Sequence, residues 1–255
     1  IRDRNYLVHV EGDFGPKDCP DLRLAASGGA SLPVEVIAAF ERRFACTILE
    51  GYGLTETTGA ASYHRDGIEQ RAGTVGVALP DTEIVIESLD GGRAPVGEVG
   101  QVLVKGPTVM KGYWNNEAAT AADLSDGWLR TGDLGRLDGD GYLAIVDRAK
   151  DLIIRGGYNV YPREVEEVLY SHPDVVEAAV IGVPDERYGE EVAAVVVLAP
   201  GRELSADELR AWLKEQLSAY KVPHLIRFDD ALPKGATGKI LKRAIEWTTD
   251  EGATP

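Results

Sequence analysis

The chain has 255 residues, enough for one or two domains, and 44% of them are hydrophobic, so a sizeable core can form. Its formal net charge of −15 argues against nucleic acid or an anionic membrane surface as the main partner, while leaving room for a locally basic nucleotide pocket. The acidity is shared: residues 1–147 carry 13 basic and 23 acidic side chains, residues 148–255 carry 14 and 19. Cys19 and Cys46 show no metal-type spacing, no apolar run approaches the ~18–20 residues of a membrane span, and Ile1-Arg-Asp-Arg-Asn5 does not open like a secretory signal. The expectation is a cytoplasmic protein with two reduced thiols.

In chain order, Leu22–Ala26 reads as a short buried strand running into the turn Ser27-Gly28-Gly29-Ala30. Val34, Ile37, Ala38, Phe40 and Phe44 then recur at helical spacing after Pro33, and Thr47–Leu49 is a second strand delivering the chain to Gly51-Tyr-Gly53. Strand, loop, helix, strand is the pattern of a parallel α/β layer, in which ligands lie at the carboxyl ends of strands. From about residue 73 the pattern changes to alternating strands at 83–87, 100–104 and 141–146, separated by Gly91-Gly92, Asp126-Gly127 and Asp138-Gly-Asp-Gly141, which describes a small antiparallel, barrel-like unit. A second switch near Asp147-Arg148 leads to strands at 152–154, 175–183, 191–198 and 225–228 and helices at 162–170 and 206–218, a compact α+β domain. Pro162 opens the first of these helices; Ser205-Ala-Asp-Glu208 is a capping box for the second, with Leu209, Trp212, Leu213 and Leu217 on one face. The expected organisation is 1–147 (α/β layer to about 72, β subdomain 73–147) and 148–255, with a frayed tail from Thr248.

Several stretches carry possible chemistry beside a plainer structural reading. In Gly51-Tyr-Gly-Leu-Thr-Glu56 the glycines let the backbone approach a flat ligand and Tyr52 can stack on it. Thr55 offers a hydroxyl to a phosphate oxygen and Glu56 a hard carboxylate to Mg²⁺; the plain alternative is a turn after a strand. Gly28-Gly29 is by itself a turn, given weight by its place at the end of a strand. Asp133 can accept from ribose hydroxyls or serve as an N-cap or turn residue. Arg148 and Lys150 are solvated charges or, respectively, a ribose or phosphate contact and a hinge. Pro233-Lys-Gly-Ala-Thr-Gly-Lys239 fails the GxxxxGK[ST] pattern, because Pro233 stands at the first glycine and Ile240 at the hydroxyl position. Lys239 there is a surface charge or a mobile cation for an adenylation transition state. His172, before Pro173, suits a helix C-terminal cap, and no Ser-His-Asp set or paired acid/base carboxylates are visible.

Seven motifs in one order, SGGA at 27, GYGLTE at 51, GEVGQVLVKGP at 97, GWLRTGDLG at 127, DRAKDLIIRGGYNVYPREVE at 147, HPDVVEAAVIGVPD at 172 and PKGATGKILKR at 233, resemble the adenylate-forming superfamily of acyl-CoA synthetases, peptide-synthetase adenylation domains and firefly luciferase. The resemblance, strongest to medium- and long-chain fatty-acid–CoA ligases, implies that a carboxylate and Mg·ATP give acyl-AMP and pyrophosphate, after which a small domain rotates and the acyl group passes to a thiol. It places Gly28, Gly29, Ala30, Tyr52 and Gly53 at the adenine and Thr55 at the α-phosphate. Glu56 falls on Mg²⁺, Asp133 and Arg148 on the ribose, and Lys150 at the hinge. Gly156 and Gly157 border the CoA tunnel, and Lys239 serves the first half-reaction. ATP and CoA are the implied co-substrates of a fatty or related carboxylic acid. The family's Ser/Thr/Gly-rich, lysine-ended phosphate loop is not in these residues, so the chain is expected to be the C-terminal half of a synthetase, inactive alone and with a broken sheet edge in residues 1–60. Left open beside this are an adenylation domain serving a carrier protein, a non-catalytic half pairing with a separate N-terminal chain, a simple nucleotide-binding module, and a homodimer.

Overall fold

The computed structural model describes residues 15–29, 32–65, 67–88, 90–235 and 238–247. The expectations for Ala30 and the tail from Thr248 fall outside these residues. The chain divides into two compact units between Ala149 and Lys150.

In the first unit β1 (Leu24–Gly28) and β2 (Thr47–Tyr52) run parallel, in register from Leu24 opposite Thr47 to Gly28 opposite Gly51. Helix α1 (Val34–Phe44) joins them. Its buried ridge is Val36, Phe40 and Phe44, four residues apart, set against Leu32, Cys46 and Ile48. Val34, expected on this face, sits in the first turn and is 37% exposed. The sheet continues antiparallel through β3 (Ser62–Tyr63) and β4 (Val77–Ala78), so the first sheet reaches past residue 73. Among the described residues β1 is an edge strand, and its Leu24 is half-exposed.

A second, wholly antiparallel sheet takes the order β5 (Glu83–Glu87), β6 (Gly100–Lys105), β8 (Trp128–Leu137), β7 (Leu124–Ser125), with β9 (Leu143–Arg148) on β8. Ile84, Ile86, Val102, Val104 and Leu143 from this sheet share a core with Ala61. Strand β8 was not foreseen: the stretch around Gly132-Asp-Leu-Gly135 reads as a turn, yet it stays in the ladder through register shifts opposite β6 and β9. Helix α2 (Glu117–Asp123) was also unforeseen; Asn116 caps it, its side-chain oxygen accepting from the Ala119 N–H.

The second unit has β10 (Ile153–Arg155), β11 (Tyr158–Val160), α3 (Pro162–Tyr170), β12 (Val175–Asp185), β13 (Gly189–Leu198), α4 (Ala206–Lys214) and β14 (Leu225–Phe228). The long antiparallel β12–β13 pair is its spine, with β14 parallel to β13. Val165 and Leu169 of α3 and Leu209 and Leu213 of α4 pack on Val180, Val192, Ala194 and Val196. The capping box forms as read: Ser205 Oγ accepts from the Glu208 N–H, and Glu208 accepts from the Ser205 N–H. Helix α4 stops at Lys214, short of the expected 218, although Leu217 still bonds back to the Leu213 carbonyl and stays buried. His172 does not cap α3; its Nδ1 accepts from the Asp174 N–H and its ring meets Trp212 edge-on at 4.9 Å, because the chain turns at Pro173 toward β12.

Leu169 is fully buried between α3 and the β12–β13 face. Leu169→Ala is expected to destabilise the second unit by about 2–5 kcal/mol, seen as a lowered urea midpoint in Trp fluorescence; an unchanged midpoint would contradict this packing.

Candidate nucleotide site

Asp133 lies in the middle of β8, directly opposite Arg148 on β9, and is only 4% exposed. It is therefore neither an N-cap nor a turn residue. Its Oδ1 pairs with Arg148 Nε at 3.0 Å, and its Oδ2 accepts from the Tyr52 hydroxyl at 2.6 Å. Tyr52 ends β2, so residues 81 positions apart in sequence meet on one carboxylate. The Arg148 side chain stays 43% exposed. Burial, reinforced by the negative charge of Asp133, pushes the Tyr52 phenol far above the usual tyrosine range, so Tyr52 is a standing donor to Asp133. In this structure Tyr52 uses its polar end to orient a carboxylate.

Gly28 and Gly51 stand side by side at the ends of the parallel strands, where the α/β layer presents its ligand edge. Beyond them the chain folds back on itself at Gly53. A Cβ there would come within 2.5 Å of the Ala60 Cα and the Gly59 carbonyl oxygen, so only glycine allows this loop to close. The segment Thr55–Thr57 is a 3₁₀ turn with Thr55 exposed and Thr57 buried. Glu56 is tied down at both ends: its carbonyl accepts from the Met110 N–H at 2.8 Å and its Oε1 from the Tyr113 hydroxyl at 3.1 Å. The same hydroxyl lies 3.2 Å from Asp123 Oδ2. Burial first, then these two carboxylates, push the Tyr113 phenol up to about 12. Tyr113 and Asp123 were missed in the sequence, since nothing in their spacing to Glu56 announces the contact.

Among the described residues no group of three or more His, Cys, Asp or Glu side chains forms a metal cage. Mg²⁺ does not need one, since it binds through one or two carboxylates together with phosphate oxygens and water. A half-buried Glu56 with a second carboxylate nearby fits that donor chemistry.

On the second unit, Lys150 is exposed in the 3₁₀ turn Ala149–Asp151, at the division between units. Gly156 and Gly157, at φ +56° and +83°, make the two-residue hairpin between β10 and β11, a turn that requires positive φ at both places. Lys239 is exposed on a loop closed by Lys234 opposite Ile240 and by the Gly235 N–H to the Lys239 carbonyl at 2.9 Å. Lys234, by contrast, is tied to Glu177. That closed loop is not a strand-to-helix phosphate cradle, in keeping with the broken sequence pattern. Asp133 is thus in direct contact with Tyr52 and Arg148, and Gly28 and Gly51 at the strand ends and Gly53, Thr55 and Glu56 in the turn beyond β2 belong to the same unit.

Tyr52 gives a pH-dependent expectation. Its phenol titrates higher when folded than when unfolded, so its contribution to stability is complete below about pH 10 and is lost as pH rises above that value. Tyr52→Phe, leaving Asp133 short of a donor, is expected to cost about 1–3 kcal/mol at pH 8, with the gap to wild type narrowing by pH 11 in urea unfolding. A gap that widened with pH would contradict the assignment.

Comparison with known proteins places the chain in a family. The family model for AMP-binding enzymes matches residues 5–114, and the model for the AMP-binding enzyme C-terminal domain matches residues 164–239. A feruloyl-CoA synthase of Amycolatopsis sp is 45% identical over 226 residues, 88% of this chain and 46% of that protein. A long-chain-fatty-acid–CoA ligase of Bacillus subtilis (strain 168) is 46% identical over 229 residues, 89% of this chain and 41% of the ligase. The chain thus spans less than half the length of these relatives. ATP-bound MatB from Rhodopseudomonas palustris, a solved structure, superposes with a TM-score of 0.90 at 36% identity, covering 95% of this chain and 48% of that one. With the two family models falling on its two units in order and relatives at 45–46% identity, the chain belongs to the AMP-binding, adenylate-forming enzymes of the acyl-CoA synthetase type.

Proposed function

We propose that the chain carries the nucleotide-holding and thiol-transfer parts of an acyl-CoA ligase that acts on a fatty or related carboxylic acid. The observation that carries the reading is the buried Asp133 carboxylate, oriented by Tyr52 and Arg148. A carboxylate has about four acceptor positions, so two remain for vicinal ribose hydroxyls. Since Asp133 is nearly covered, the half-exposed Arg148 has to yield Oδ1 when the nucleotide enters, and its guanidinium can then turn to the ribose or phosphate.

In the first half-reaction a carboxylate oxygen attacks the α-phosphorus and pyrophosphate leaves. Thr55 is the proposed donor to the α-phosphate, and Glu56 is the residue that would hold Mg²⁺, whose charge offsets that of the phosphates. Lys239 supplies a fixed ammonium where negative charge develops. In the second, the sulfur of CoA attacks the acyl carbon and AMP departs, with Gly156 and Gly157 bordering the path of the thiol. Lys239 and Gly157 sit on one unit but serve different steps, so the proposal assigns Lys150 as the pivot that alternates them.

The sequence holds no Ser/Thr/Gly-rich, lysine-ended loop for the outer phosphates, so these 255 residues by themselves are expected not to adenylate. A fatty acid is the first reading for the acyl group. An aromatic propenoic acid is the second, supported by the feruloyl-CoA synthase at nearly the same identity as the fatty-acid ligase. A pantetheinylated carrier protein is the alternative acceptor.

Two measurements test this in the chain extended to the length of its relatives. Pyrophosphate exchange across a panel of acids should single out one acyl class, and free CoA should outcompete a pantetheinylated carrier. Lys239→Ala should lower adenylation by at least about 100-fold while thioester formation from preformed acyl-AMP persists. Equal loss of both half-reactions would contradict the division of labour.

A further inference from the structure

We propose that the buried Arg155–Glu191 ion pair is a positioning device for the Gly156-Gly157 hairpin, fixing its direction for thiol transfer. The proposal rests on the reading that this turn borders the path of the acyl acceptor. The base of the hairpin is rooted in the core by Ile153 and Val160. Its tip is held less: strand β10 meets β13 at a single residue pair, Arg155 opposite Gly189, and the flanking Ile154 and Tyr158 are 52% and 61% exposed, Tyr158 stacking on Tyr220 at 4.9 Å. Backbone bonds there are few, the Gly156 N–H to the Tyr188 carbonyl among them.

Side chains replace the missing ladder. Arg155, the last residue before the turn, donates from Nε to Glu191 Oε1 at 2.5 Å and from Nη2 to Oε2 at 2.8 Å. Both side chains are under one-tenth exposed. The Tyr188 ring covers the guanidinium at 4.6 Å, and His224 Nδ1 closes the far side, 3.3 Å from Glu191 Oε2. From the same turn the Tyr188 carbonyl accepts the Gly156 N–H at 2.8 Å, and Glu190 Oε2 accepts the Ile154 N–H at 2.7 Å. A planar two-pronged contact fixes rotation as well as distance, which a hydrophobic pair or a lysine cannot do. For stability alone a buried ion pair is often no better than well-packed apolar residues. Orientation of the tip is what this pair adds.

That difference supplies the test. Arg155→Met/Glu191→Leu removes both charges together, so no unpaired charge is buried and the unit should fold with little change in Tm. Glu191→Gln, which keeps the shape and weakens the fork, is the second variant. In the chain extended to the length of its relatives, both should raise KM for CoA by at least about tenfold while pyrophosphate exchange stays within about twofold of wild type. An unchanged KM for CoA, or equal loss of both half-reactions, overturns the proposal. Gly157→Val separates it from the reading beneath it. If that variant spares the CoA step, the hairpin does not border the thiol path and both fall. If it impairs the CoA step while the pair variants do not, only the positioning role falls.

Discussion

An ionised carboxylate removed from water is tolerable only with partners, and Asp133 draws its two from separate parts of the first unit. Tyr52 arrives from the end of a parallel pair, Arg148 from the last strand of an antiparallel sheet. The Tyr52 hydrogen bond therefore ties the parallel pair to the antiparallel sheet, while the Arg148 ion pair braces Asp133 within that second sheet. Displacing either partner leaves a buried charge short of compensation, so the arrangement is held more firmly than its few contacts suggest. The same feature suits a nucleotide site. A ligand that supplies new donors to Asp133 can release Arg148 without stranding the carboxylate.

The parts of the fold legible in sequence were those set by local chemistry. The Ser205–Glu208 box, Pro162 at a helix start, and the alternation of Glu83–Glu87 each act over a few residues, and the structure follows them. Strand β8 escaped because its identity is not local. Gly132 and Gly135 read as turn formers, while the ladder that absorbs them comes from β6 and β9, one of them before and one after in the chain. Asp133 was picked out as a candidate, but its burial and its bond to Tyr52 depend on that misread strand. Glu56 was likewise visible, whereas Tyr113 and Asp123, which frame it, come from a loop and a helix whose approach no spacing encodes. Gly156-Gly157 was singled out through the family resemblance, yet its turn is held by a residue beside it, Arg155, whose partner lies 36 positions on.

These cases separate two kinds of candidate residue. Some need only a backbone conformation, and glycine or proline betrays them. Others need a partner brought in by tertiary structure, and there the sequence shows one half of a pair. Asp133 with Tyr52, Glu56 with Tyr113, and Arg155 with Glu191 are all of the second kind.

The chain's net charge of −15 repels an anionic ligand at long range, so the proposed nucleotide site would have to rely on short-range contacts. Many of its cations are already committed: Arg71 to Asp138 and Asp140, Arg130 to Glu87, Lys221 to Glu164, Arg227 to Asp229, Lys242 to Glu166. Arg148 is half-exposed, while among the described residues Lys150 and Lys239 make no ion pair. Screening by salt shortens the reach of the repulsive field to about 8 Å at physiological ionic strength. Within that radius the nearest individual charges decide the local potential more than the total charge does. Acidity of the whole and the proposed nucleotide site are therefore compatible, and binding there should depend on the few exposed cations far more than on the total charge.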